Sequence, residues 1–176
     1  MSEIIFEKIY DQYLDKIYRF VFVRVNSKET AQDLTAETFT RTFEYFKRNP
    51  ARAIDNVQAF LFRTASNLIT DFYRQKSRHN ISLENVVDSP NIPSRFARQV
   101  GGGEFMHPEV ALAKNERVQK IMAALRSMDS EQADIVMWHY VEDMSVREIA
   151  VITGRPEGTV RVMLHRGLRA LQQLML

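Results

Sequence analysis

The chain has 176 residues, 45% hydrophobic and 26% charged, which allows one domain or two small ones with packed cores and excludes wholesale disorder. A net charge of +2 argues against sequence-blind coating of nucleic acid, although local basic patches remain open. Having no cysteine, it cannot carry a disulfide scaffold, a thiolate zinc site or a cysteine nucleophile, and no apolar run approaches the roughly 20 residues that span a bilayer, so membrane insertion is not expected.

The N-terminus, MSEIIFEKIYDQY, mixes acidic residues into an amphipathic pattern unlike a signal peptide, so a cytoplasmic location is expected. Phe6, Ile9, Tyr10, Tyr13, Ile17, Phe20 and Val21 recur at helical spacing and predict a first helix. Asn26-Ser27-Lys28-Glu29 offers a cap residue with a glutamate three positions on. A second helix follows, with Ala31, Leu34, Thr38, Phe39, Thr42, Phe43 and Phe46 expected inside, and Asn49-Pro50 ends it. After a loop through Ala51–Asn56, a third helix carries the stripe Phe60, Leu61, Ala65, Leu68, Ile69 and Phe72.

From about Asn80 the periodicity fades. Pro90, Pro93 and Gly101-Gly102-Gly103 read as a flexible linker, and a structureless stretch of that length favours two domains over one. Beyond Pro108 helical patterns resume. Val118, Ile121, Met122 and Leu125 form one stripe; Asp129 and Ser130 cap the next, with Ala133, Val136, Met137 and Tyr140. Ser145 and Glu148 make a capping box for a short helix that Gly154 closes. Pro156 then opens a last helix, with Val160, Leu164, Leu168, Leu171 and Met175 inside. The expected fold is all-α: two small helical domains, 1–79 and 108–176, joined by a linker over 80–107, with a helix-turn-helix in the second.

In a helix-turn-helix the second helix lies in the major groove and its first turns meet base edges. With Val160, Leu164 and Leu168 buried, the opposite face presents Arg161, Val162, His165 and Arg169, while Arg155 and Thr159 stand at the entrance, where unpaired N–H groups favour a phosphate. On the third helix, Asn67, Asp71, Arg74 and Arg78 fall on one face, with Arg63 and Lys76 adding charge and Phe72 and Tyr73 interleaved. Basic groups beside aromatics suit a separated DNA strand, although an ordinary solvated helix face accounts for this pattern about as well. On the second helix, Asp33, Glu37, Arg41 and Glu44 line an outer face that reads as a protein-docking stripe or a plain ion-paired surface.

The segment AQDLTAETFTRTF resembles the region 2 helix of bacterial sigma factors, and NVQAFLFRTASNLITDFYRQKSR resembles the region 2 helix that follows it. LRSMDSEQADIVMWHYVEDMSVREIAVITGRPEGTVRVMLHRGLRAL is similar to region 4 nearly end to end. With only these two regions, the chain resembles the extracytoplasmic-function (ECF) class. The resemblance implies a sigma factor that binds core RNA polymerase and promoter DNA, needs no cofactor and catalyses nothing, and it allows an anti-sigma factor as a further partner. It assigns Asp33, Glu37 and Arg41 to polymerase docking, with Phe39 in the core. Asn56, Arg63, Asn67, Asp71, Arg74 and Arg78 fall to the melted minus-ten strand; Arg155, Glu157, Gly158, Thr159, Arg161, Val162, His165 and Arg166 fall to the minus-thirty-five duplex. Ala36, Val162, Met163 and the Arg155-Pro156 entry depart from the family pattern, so promoter preference does not carry over from relatives.

Two other classes compete. A stand-alone helix-turn-helix regulator would bind duplex DNA directly, as a symmetric dimer, and would leave the first helical block unexplained. An enzyme finds little support: no Walker loop, H-E-x-x-H pair or G-x-S-x-G elbow occurs, and His79, His107, His139 and His165 lack ligand spacing. Trp138 and the methionines Met128, Met137, Met144 and Met163 read as core or gap-fillers.

Overall fold

A computed structural model describes residues 3–49, 56–81 and 116–176, and every regular element among them is a helix. These are α1 (Glu3–Val25), α2 (Lys28–Arg48), α3 (Val57–Ile81), α4 (Glu116–Ser127), α5 (Ser130–Tyr140), α6 (Val146–Thr153) and α7 (Glu157–Met175). The all-α expectation holds. Helix α3 runs two residues past the expected boundary at 79; the rest of the linker, and residues 108–115, lie outside the described residues.

Local chemistry sets most helix ends. Asn26 takes the left-handed conformation (φ 52°) that closes α1, a geometry asparagine tolerates better than most residues. The cap of α2 is therefore Ser27, whose hydroxyl accepts from the Thr30 N–H, and Glu29 is not the reciprocal partner the sequence pattern suggested. Asp129 caps α5 by accepting from the Glu131 and Gln132 N–H groups. The predicted box at α6 is complete: Ser145 accepts from the Glu148 N–H, and the Glu148 carboxylate accepts from the Ser145 N–H at 2.8 Å. The Ser145 hydroxyl also donates to that carboxylate at 2.7 Å, and this bond, together with the one from the Ser145 N–H, holds the Glu148 pKa below the usual carboxylate value. Gly154 turns left-handed at φ 67°. Pro156 stands one position earlier than expected, as the extended residue before α7, because its ψ of 146° is not helical.

In the first unit α1, α2 and α3 pack pairwise around Ile17, Phe20, Val21, Phe39, Leu61, Phe62 and Ile69. Phe39 is core, as expected; Phe43 is not. It is 38% exposed, one position off the buried stripe Thr35, Thr38, Thr42 and Phe46, and its ring meets that of Phe6 in a T-shaped pair with centroids 4.9 Å apart. In the second unit α4–α7 close over Ile135, Met137, Met144, Ile149 and Val160. Trp138, Met128, Met137 and Met144 are buried as expected, whereas Tyr140 and Met175 sit at helix ends, exposed. Helix α7 crosses α5 at Gly167, where a Cβ would come within 2.7 Å of Val136 Cγ2, so only glycine allows that approach.

The two units share a seam. Helix α1 packs on α4, and α3 packs on α6. At its centre the Arg24 guanidinium, 4% exposed, meets Asp134, 2% exposed, at 3.1 Å. Arg24 also donates to the Leu125 carbonyl (3.1 Å) and the Ser130 hydroxyl (2.7 Å), and the Ser66 hydroxyl donates to Asp134. Nearer the edge, Arg19 meets the buried Glu142 at 2.7 Å, and Arg126 donates to the Val23 carbonyl. Phe20 stacks on Trp138 with ring centroids 6.0 Å apart.

Burial raises the Asp134 pKa to about 6, against the opposing pull of Arg24 and the Ser66 hydrogen bond, and Asp129 and Glu131 push it further up. An acid whose pKa rises on packing stabilises the packed state fully below its free value, near 3.8, and loses that contribution as pH climbs through about 6. Shifting from pH 7.5 to 5 is therefore expected to raise urea resistance of the wild type relative to Asp134→Asn by on the order of 1 kcal/mol. Paired urea titrations of the two proteins at both pH values check this; an unchanged difference contradicts it.

Candidate nucleic-acid and protein interfaces

The capping box, Gly154 and Pro156 set α6 and α7 as a helix-turn-helix, and Val160, Leu164 and Gly167 turn one face of α7 into the unit. The opposite face is open: Arg161, Val162, His165, Arg166 and Arg169 are all exposed, as are Arg155, Glu157, Gly158 and Thr159 at the entrance. Val162 is 49% exposed, an apolar group on that open face. Gly158 has open space around it, so its place in the first turn imposes no packing need for glycine.

Two of these arginines are already engaged. Arg161 pairs with Glu157 one turn back at 2.9 Å. Arg155 makes a two-pronged contact with Glu131 of α5, at 2.8 and 3.0 Å, the same fork geometry a phosphate would accept. Both partners are over 40% exposed, so the pair contributes little to stability. Its larger effect is on charge at the helix entrance. Glu131→Gln is expected to tighten binding of promoter duplex and to steepen the dependence of log K on log salt by roughly 0.9, the value of one added phosphate contact. Fluorescence anisotropy over a salt series reads it; an unchanged slope shows that Arg155 does not reach the DNA.

On α3, Arg63, Asn67, Arg74 and Arg78 are exposed and Asp71 is half-buried, bound to Arg74 at 2.7 Å. Tyr73 keeps its ring 37% exposed, while its hydroxyl donates to the Arg24 carbonyl. Asn56 serves the helix itself: its side-chain oxygen accepts from the Ala59 N–H at 2.8 Å. The neighbouring loop, 51–55, lies outside the described residues. On α2, Asp33 is exposed, and desolvation together with Glu29 raises its pKa. Glu37 holds Arg41 at 2.7 Å one turn on, with Glu44 and Arg48 continuing the ion-paired stripe.

Sequence reasoning missed Arg24, Asp134, Glu142 and Arg19. A signal existed: Arg24 interrupts the apolar run FVFVRV, and Asp134 sits beside Ala133 inside ADIVMW, so each stands where a neutral residue is expected.

Residues 9–79 match the family described as Sigma-70 region 2, and residues 118–171 match Sigma-70, region 4. The chain is 29% identical to the ECF RNA polymerase sigma factor BldN of Streptomyces coelicolor, over 97% of this chain but 60% of that protein. It is 27% identical to the ECF RNA polymerase sigma factor SigW of Bacillus subtilis, covering 96% of this chain and 87% of the relative. Among solved structures, the sigma factor RpoE of Bartonella quintana, in complex with the anti-sigma factor NepR, shares the fold with a TM-score of 0.67 at 17% identity, over 97% of this chain and 96% of that one.

Proposed function

This chain belongs to the sigma-70 family, in the ECF class, and from that premise we propose that it binds core RNA polymerase, recognises promoter DNA and promotes strand opening. The observation that carries the reading is the pairing, in one chain, of an exposed basic helix-turn-helix face on α7 with an exposed basic and aromatic face on α3. Residues 1–79 form the polymerase-docking and minus-ten domain, 80–107 the linker and 108–176 the minus-thirty-five domain. Arg155, Thr159, Arg161, Val162, His165 and Arg166 read duplex or phosphate, with Glu157 and Gly158 shaping the first turn. Arg63, Asn67, Asp71, Arg74 and Arg78 take the separated strand, beside the Asn56 cap. Asp33, Glu37 and Arg41 dock on the polymerase.

Binding energy alone does the work, and no reaction is catalysed. Melting costs about 1.4 kcal/mol per base-pair step, and each captured base returns roughly 1–3 kcal/mol, so α3 offsets part of the cost and the polymerase supplies the rest. Joining two weak binders raises their effective concentration on one promoter. The site of action is the cytoplasm; among the described residues no helix is long and apolar enough to cross a membrane. An anti-sigma factor is a further partner in this reading, supported by the complex in which the Bartonella relative was solved.

In-vitro transcription with purified core polymerase on a promoter library tests the proposal. Start-site-specific transcripts that depend on the added chain are the expected result. Binding to duplex DNA as a dimer without co-migration with core polymerase would instead favour the stand-alone regulator.

A further inference from the structure

We propose that Gly158 and Val162 form a methyl reader on α7, which meets the 5-methyl group of a thymine in the minus-thirty-five duplex, a base preference that rests on the function proposed above. Val162 is the one large apolar side chain of α7 that stands exposed before position 174. Its exposed neighbours on that face are charged or polar: Arg161, His165, Arg166 and Arg169. A valine there does little for the fold. It leaves half its surface in water, and a β-branched residue is a poorer helix former than alanine, lysine or arginine. Gly158 is equally without a structural reason. A Cβ added to it would meet nothing within 4 Å, its backbone is not left-handed, and glycine weakens a helix.

At about 100° per residue, Gly158 and Val162 lie about 40° apart around α7, on the side turned away from Val160, Leu164 and Gly167. Arg161 falls to one flank of this strip and Arg166 to the other. The open face thus has charged edges and a bare, apolar midline. In a major groove such a helix sends its edges to the phosphates and its midline to the bases. Valine has neither donor nor acceptor, so among the bases only thymine offers it a matching group, the methyl at C5. Glycine one turn earlier removes the side chain that would hold the helix off the base edge.

Deoxyuridine differs from thymidine only in lacking that methyl, and it supplies the test. The chain bound to core polymerase first selects a promoter from a randomised library. Each thymine of the minus-thirty-five element is then replaced by deoxyuridine, one at a time, and binding of the holoenzyme is measured. One replacement is expected to weaken binding about fourfold, the factor carried by one buried methyl-sized group. With Val162→Ser the difference between the thymine and deoxyuridine duplexes should disappear, both binding as weakly as the deoxyuridine duplex binds wild type. Gly158→Ala should weaken promoter binding several-fold while thermal unfolding stays the same or moves slightly higher, a combination that no structural role for this glycine produces. A minus-thirty-five element without thymine, deoxyuridine replacements without effect, or a deoxyuridine penalty that survives Val162→Ser overturns the methyl reader, as does full promoter binding by Gly158→Ala. If no promoter is selected with core polymerase, the sigma-factor reading itself fails, and the methyl reader falls with it.

Discussion

Arg24→Ala is expected to destabilise the chain by about 3–5 kcal/mol, the cost of leaving a buried charge without its partner. Asp134 would face Ser66 alone, and the Leu125 carbonyl and Ser130 hydroxyl would each lose a donor. The double variant Arg24→Met/Asp134→Leu removes both charges at similar volume and is expected to recover most of the stability. Urea unfolding of Arg24→Met, Asp134→Leu and the double variant, taken as a cycle with the wild type, measures the coupling. A coupling near zero would mean that the pair does not hold the seam.

Phe20→Ala carries a comparable penalty, about 3–5 kcal/mol, for a different reason. Phe20 is fully buried and touches two aromatic partners, Phe62 inside the first unit at 5.4 Å and Trp138 across the seam at 6.0 Å. Its removal leaves a void on both sides that rigid helices refill poorly. Trp138 is the sole tryptophan, so its emission follows the seam, while circular dichroism follows helix content. The emission of Trp138 should shift at lower urea than the helical signal does. Coincident transitions at the wild-type midpoint would contradict the placement of Phe20.

Much of this architecture is legible in the residues. Apolar periodicity locates the seven helices among the described residues, and Ser145, Glu148 and Gly154 act as the pattern predicts because capping is decided within a few residues of chain. Where the pattern misleads, the reason is a narrow one. Phe43 and Tyr140 satisfy an apolar count but lie at the margin of a face or the end of a helix. At the start of α2 the asparagine serves the preceding helix, which moves the cap to Ser27. The exposed arginines and carboxylates of α2, α3 and α7 are readable as faces, but their ion pairing is only partly so. Arg161 with Glu157 follows helical spacing, whereas Arg155 with Glu131 joins residues 24 apart. The seam is the least legible feature, because pairing Arg24 with Asp134 needs knowledge of how two helical units meet.

Gly167 ties the pitch of α7 to the girth of a single valine beneath it. Any side chain inserted there acts as a shim, because its Cβ would fall 2.7 Å from Val136 Cγ2 and 3.4 Å from the Gln132 carbonyl oxygen, so the valine or the helix has to give way. Volume at positions 136 and 167 is therefore shared: bulk added at one must be answered by bulk removed at the other.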